Sequence, residues 1–263
     1  MRDFTLSAYH ALLDQLQAAQ YRFQTFSAFL QNPAERTVML RHDVDDRKLH
    51  SLAFAKIQHE RGIVGTYYFR MVPESFDEGV IREMRDMGHE IGYHYEDMDF
   101  ANGDPHLAVQ LFEKHLEKLR KVAPITSICM HGSPRSKYDN KDVWKHYDYK
   151  KYGIIGEPYF DIDFSKVYYL TDTGRQWDGH KVSVRDKVDN HFGLSFHSTY
   201  DVIEGIRHGK LPDKVMFNFH PQRWTDAPLL WLKEKNIQRA KNLAKYLLIK
   251  FRQNKTPNHN APA

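Results

Sequence analysis

Asp43 and Asp45 stand two residues apart where an apolar, strand-like run, VMLRH (38–42), gives way to acids. On extended backbone such side chains point the same way, so the two carboxylates lie close. They repel unless one holds a proton or a cation sits between them. One metal ligand and one proton acceptor is the chemistry that fits. A cap on the helix starting near Arg47 is the structural alternative for Asp45 or Asp46, and Asp46 is assigned to it. Four more apolar runs end the same way. TYYF leads to Arg70, HEIGY to His94 (with Glu96, Asp97 and Asp99 behind it), ITSICM to His131, and VMFNF to His220-Pro221. Charged groups are rarely buried without a partner, so five such ends together argue for a site. His94 offers an imidazole to a metal, and His220 suits a general acid. His89, at the other end of the His94 run, reads as a structural histidine. Histidine with carboxylates suits zinc or another first-row divalent ion. Arg70, Arg135, Tyr138 and Trp224 fall near the same rim and could hold a substrate, or simply pack.

These residues need elements to bring them together. Strand-like runs alternate with helical patterns: 48–62 after the first run, 76–88 after VGTYYFR (64–70), and 104–122, capped by Asp104-Pro105, after HEIGYHY (89–95). ITSICMH (125–131) and KVMFNFH (214–220) follow, and a long helix over 229–251 closes the chain. Alternation with short connections predicts parallel strands, in an α/β, barrel-like fold whose carboxyl rim carries the site. A helix over about 5–18 is expected outside the barrel. Residues 150–200 break the rhythm. GIIGEPYF, KVYYLTDTG and HKVSV read there as an irregular β insertion. A single domain over 1–263 is expected, with its core at about 36–253 and a disordered tail over 254–263.

Composition narrows the classes. The 263 residues are 41% hydrophobic, 13% aromatic and 27% charged, which describes a globular chain. A net charge of +4 is too small to argue for nucleic acid. The single cysteine, Cys129, fits a reducing compartment. No apolar run approaches a membrane span, and MRDFTLSAYHALLDQLQ has no apolar signal core, so a cytoplasmic location is expected. Between Lys233 and Lys255, eight basic residues accompany one acid, Glu234. Leu232, Ile237, Leu243, Tyr246, Leu247 and Phe251 in the same stretch predict a face packed on the barrel, with the basic residues in solvent. Peripheral contact of that basic face with an anionic membrane is the alternative.

In order and spacing, RHDVD, GHEIGYH (88–94) and FNFHP resemble the polysaccharide deacetylases of carbohydrate esterase family 4, the NodB homology superfamily. HGSPRSKYDN, YLTDTGRQWDG and FNFHPQRW look most like its WbmS-like, lipopolysaccharide-biosynthesis branch. The resemblance covers about Val38 to Pro221. It implies a distorted (β/α) barrel with fewer strands than a full one. It further implies Asp43 as catalytic base, His220 as general acid, and Asp45 and His94 as ligands of one divalent metal ion, zinc by preference. The family places a second histidine four residues after the first, where this chain has Met98, a poor ligand beside oxygen and nitrogen donors. The third ligand is then sought in His131, Asp97 or Asp99, with His131 preferred; the family usually has an arginine near that position. The implied activity is hydrolysis of the N-acetyl group of a sugar in a surface polysaccharide or its lipid-linked precursor. Hydrolysis of another small amide and a non-catalytic glycan- or partner-binding barrel are the alternatives. Glu157, Asp161 and Asp163 raise a glycosidase reading of lower standing.

Overall fold

The computed structural model describes residues 1–133, 136–177, 188 and 191–254. The chain starts with α1 (Leu6–Ala18), β1 (Arg22–Gln24), α2 (Phe26–Gln31), β2 (Thr37–Val44) and α3 (Lys48–His59). It continues through β3 (Thr66–Phe69), α4 (Glu78–Asp86), β4 (Glu90–Tyr95), α5 (Asp97–Phe100), α6 (Pro105–Arg120) and β5 (Ile128–Met130). After two 3₁₀ turns, Asn140–Lys145 and Tyr149–Tyr152, come α7 (Pro158–Asp161), β6 (Tyr168–Thr171), α8 (Thr199–Arg207), β7 (Lys214–Phe219) and α9 (Pro228–Asn254).

All strands run parallel in one sheet, ordered β5-β4-β3-β2-β7-β6, with β1 also paired to β2. The sheet curls into a half-barrel with helices around it, the α/β, distorted-barrel class expected. All eight residues of β2 are buried, as a central parallel strand covered on both faces requires. Alternation then sorts its side chains. His42 points into the core, stacked on Tyr67 at 4.0 Å and bonded to Gln58 and the Thr66 carbonyl. Arg41 and Asp43 point to the other side, toward the rim. Thr5 caps α1, which buries Ala8, Tyr9, Leu12, Leu13 and Leu16 and lies against α8.

The expected β insertion is not what forms. Glu157 accepts the Tyr159 N–H and Pro158 occupies the first turn, so EPYFD opens a short helix, α7, and Gly156 makes only an isolated bridge to Ser127. KVYYLTDTG supplies β6, a full member of the main sheet along the outer edge of β7. HKVSV and residues 255–263 of the expected tail lie outside the described residues. The three-residue β1, the six-residue α2 and α8, closed by a Ser198–Asp201 capping box, were not expected from the sequence.

On α9 the expected packing of Leu232, Ile237 and Leu243 is overturned, whereas Lys233, Arg239 and Lys241 are exposed as expected; the side chains of Tyr246, Leu247 and Phe251 lie outside those described. Leu232, Ile237 and Leu243 are exposed, with Leu229 at 85%, while Glu234 and Gln238 face the body. Glu234 turns inward to meet Arg47 at 3.1 Å, and Gln238 bonds Asn242, itself tied to the Gly174 carbonyl. Polar contacts set the face of this helix. Among the described residues no helix is long and apolar enough to cross a membrane.

One glycine in GHEIGYH has a packing reason. A Cβ on Gly92, inside β4, would stand within van der Waals contact of the buried Tyr68 ring. Gly92→Ala is therefore expected to destabilise by about 1–3 kcal/mol through overpacking. Denaturant unfolding measures this; a wild-type midpoint would show that the ring yields freely.

Candidate functional site

The rim collects the strand ends. Arg41 and Asp43, two apart on β2, meet in a bidentate ion pair with Nε–Oδ1 at 2.9 Å and Nη2–Oδ2 at 2.8 Å, and the Asn218 side-chain amide donates to Asp43 Oδ2 at 3.0 Å. Burial alone would raise the Asp43 carboxyl. The Arg41 guanidinium, with His94 and His220, outweighs it and holds the group well below the usual range. Arg41 is itself 2% exposed.

Past the end of β2 the chain turns sharply, the Asp45 N–H donating to the Asp43 carbonyl at 3.0 Å. Arg70 braces this turn, donating to the Asp45 carbonyl at 3.1 Å and to both Glu96 oxygens at 2.7 and 2.9 Å. Asp45 Oδ2 accepts from Gln222 at 3.2 Å and lies 3.9 Å from His220 Nε2. Asp45 Oδ1 is buried without a hydrogen bond, although His131 Nδ1 lies 3.2 Å away and His94 Nε2 3.5 Å. His94 Nδ1 donates to the Cys129 carbonyl at 2.9 Å, so its Nε2 carries the lone pair and aims it at Asp45 and at His131 Nδ1, 3.3 Å away.

Asp45, His94 and His131 thus offer one atom each within 4.8 Å of one another, as a divalent ion requires. Buried polar atoms are ordinarily bonded, and an oxygen left without a bond between two imidazole nitrogens fits a cation. A second grouping, Asp43, His94 and Cys129, shares His94. There Arg41 already occupies both Asp43 oxygens, which makes the Asp45 set the better donor set. Asp97 and Asp99 lie elsewhere in the network. Asp97 bonds His115 and Tyr93, and Asp99 bonds Ser136 and Asn140. Met98 is buried in the apolar core.

His220 has a partner that the sequence reading did not assign. Its Nδ1 lies 2.6 Å from Asp172 Oδ1, and its backbone N–H donates to Oδ2 at 2.9 Å. Asp172 also accepts from Arg223 at 2.9 Å and from the Trp224 indole at 2.7 Å. It ends β6 just as the other site residues end their strands; reading that stretch as an insertion hid the signal. Burial would raise Asp172, but His220 and Arg223 hold it below its ordinary value.

The expected sugar contacts divide. Trp224 is 1% exposed, its ring packed among Phe4, Tyr9, Phe54 and Phe219, so it offers no face to a ligand and instead anchors Asp172. Arg70 is at the rim but engaged by Glu96. Tyr138 is half-buried over Gly103, which adopts φ +88 where a Cβ would strike the ring. Arg135 lies outside the described residues. Asp46 does not cap α3: Arg47, at φ 50, occupies that position without a side-chain cap. His89 is structural as expected, bonded to the Ala55 carbonyl and the Gly65 N–H, with burial pushing it down to about 4. Of the carboxylates behind the glycosidase reading, Glu157 accepts the Met130 and Tyr159 N–H groups, Asp161 accepts the Tyr149 hydroxyl, and Asp163 is exposed beside Lys166. Each is engaged locally.

No family model matches this chain, and no curated protein matches it. Solved structures similar to it include a family 4 carbohydrate esterase from Bacillus anthracis, 13% identical over 89% of this chain and 86% of that one, with a TM-score of 0.42. PdaA of Bacillus subtilis, a family 4 carbohydrate esterase, is 12% identical over 91% and 89%, with a TM-score of 0.39. A CE4 esterase from Streptococcus mutans is 14% identical over 87% and 90%, with a TM-score of 0.42. At that similarity they carry neither a family nor an activity over to this chain.

Proposed function

We propose that the chain is a metal-dependent hydrolase that removes the N-acetyl group of a sugar, as the motif resemblance to polysaccharide deacetylases implies. The observation that carries the reading is Asp45 Oδ1, buried and without a hydrogen bond between His94 Nε2 and His131 Nδ1, with Asp43 and His220 beside it. Asp45, His94 and His131 would hold one divalent ion, zinc by the donor set, which when bound polarises the acetyl carbonyl and makes a water more acidic. Asp43, kept ionised by Arg41, accepts the proton of the attacking water as the water oxygen adds to the carbonyl carbon. Asp172 accepts the His220 Nδ1–H and holds Nε2 toward the site, from which a second proton on the ring passes to the nitrogen as the C–N bond breaks. Acetate and a free amine leave. A sugar of a surface polysaccharide or of its lipid-linked precursor, as in the WbmS-like branch, is the substrate class proposed. For a lipid-linked one, the exposed Leu229, Leu232 and Leu243 of α9, beside Lys233 and Arg239, suit contact with an anionic membrane surface. The test is acetate release from N-acetylated sugars by metal-loaded protein. Release from other small amides alone would replace the substrate class, and no release from either would overturn the reading.

Asp172→Asn separates positioning from ligation. It is expected to leave metal content unchanged and lower acetate release on the order of 10²-fold, because an amide can present N–H to His220 Nδ1 and select the wrong tautomer. Stability carries a second signature. A carboxyl with a depressed folded pKa stabilises the fold above about pH 4, its unfolded value, and that contribution disappears as pH falls through the folded pKa. Asp172→Asn should therefore flatten the acid side of the stability profile. Wild-type turnover in this variant would remove the His220–Asp172 pair from the mechanism.

A further inference from the structure

The turn that follows Asp172, closed by the Arg175 N–H on the Asp172 carbonyl at 2.9 Å, lines a cavity of about 430 Å³. The amino-terminal residues and the first half of α9 complete its wall. Arg2, Arg175, Lys235 and Arg239 all line it. Three of these cations surround one indole: Lys235 lies 4.9 Å, Arg175 5.2 Å and Arg2 5.9 Å from the Trp231 ring centroid. Among the described residues none of the four has an ion-pair partner within 4.0 Å. The acid in the wall, Asp3, already accepts the Phe4 and Thr199 N–H groups at 2.7 and 2.9 Å. Arg175 is held in the left-handed region, φ 56, with its guanidinium donating to the Arg223 carbonyl at 3.2 Å. Such backbone strain in a residue other than glycine persists only where the surroundings impose it.

Four cations share this wall with one carboxylate, Asp3, while Glu234 and Asp172 act on Arg175 from nearby; the excess positive charge is self-repelling, and an anion relieves that repulsion. Guanidinium forks beside an ammonium match phosphate oxygens, and the volume falls within the range of small-ligand sites. The cations already stacked on Trp231 point to recognition by charge rather than by base stacking. We propose that this cavity binds a ligand through a phosphate or diphosphate group, carried either on a soluble molecule or on a lipid. The proposal does not rest on the hydrolase reading, since binding is read without turnover.

Calorimetric titration of metal-loaded protein with inorganic pyrophosphate tests it. Binding is expected at one site, weakening with salt, and falling at least about tenfold in Lys235→Glu/Arg239→Glu, the loss of roughly one charge-assisted hydrogen bond. Arg239→Glu alone, at an exposed position, should show part of the loss with an unchanged melt. His94→Ala should bind as wild type does. No binding at millimolar pyrophosphate, or binding lost in His94→Ala but kept in the double variant, would overturn the proposal. Competition between pyrophosphate and phosphatidic acid vesicles, with phosphatidylcholine vesicles as control, assigns the phosphate to a lipid; its absence assigns it to a soluble molecule.

Discussion

Wild-type protein is expected to purify with a divalent ion, and Asp45→Ala and His94→Ala without it and without activity. Each removes one of three donors, and the two that remain cannot close a site around a small cation. The loss should also appear in thermal melts. An ion present at a hundredfold its dissociation constant stabilises the folded state by about 2.7 kcal/mol, which in a chain of this size corresponds to roughly 5–10 °C. Chelator-treated wild type should melt close to the variants, because the difference is then the ion alone. Metal analysis with paired melts decides. Metal lost in His94→Ala but kept in Asp45→Ala would point to Asp43, His94 and Cys129, tested next through Cys129→Ser; unchanged metal content in both variants would place the ion outside either grouping.

Asp43→Asn should keep the ion and lose acetate release by about 10²–10⁴-fold, since an amide accepts no proton. It also does something a surface carboxylate would not. Asp43 compensates Arg41, 2% exposed, through two hydrogen bonds. Leaving a buried guanidinium without its partner costs about 3–5 kcal/mol, so the variant should melt early as well as turn over slowly. Pairing Asp43→Asn with Arg41→Gln removes both charges and should restore part of the stability while activity stays lost. Activity that returned with stability would mean that Asp43 matters only for folding.

The strand ends were legible because a parallel sheet writes itself as apolar runs, and an ionisable residue at the end of each run stands out against them. β2, β3, β4, β5 and β7 were found that way, and with them Asp43, Asp45, His94, His131 and His220. The geometry brings those five together. Arg41 was not legible as a site residue: inside VMLRH it reads as one polar letter in a strand, and its role depends on which face the pleat gives it. Asp172 was missed because β6 has only four residues and was assigned to an insertion, so the position just after it was not recognised as a strand end. Trp224 was misread because an aromatic letter beside a site does not say whether its ring faces the ligand or the core. On α9, the apolar periodicity put Leu232, Ile237 and Leu243 on the inward side, whereas the direction is decided by Glu234 and Asn242 through contacts with Arg47 and Gly174, far away in sequence.

β5 has three residues and one neighbouring strand, yet His131 hangs from its end. Its free side is braced by residues 156 and 157: the Gly156 carbonyl takes the Ile128 N–H at 3.2 Å, and the Glu157 carboxylate takes the Met130 N–H at 3.0 Å. The brace would act as a latch on one of the three proposed donors. Short edge segments open at a lower free energy than a central strand such as β2, so this latch can release while the rest of the sheet stays closed. For an ion held by His131, release would then be expected to follow local opening at residues 128–131 and 156–157, with amide exchange at Met130 on the same clock.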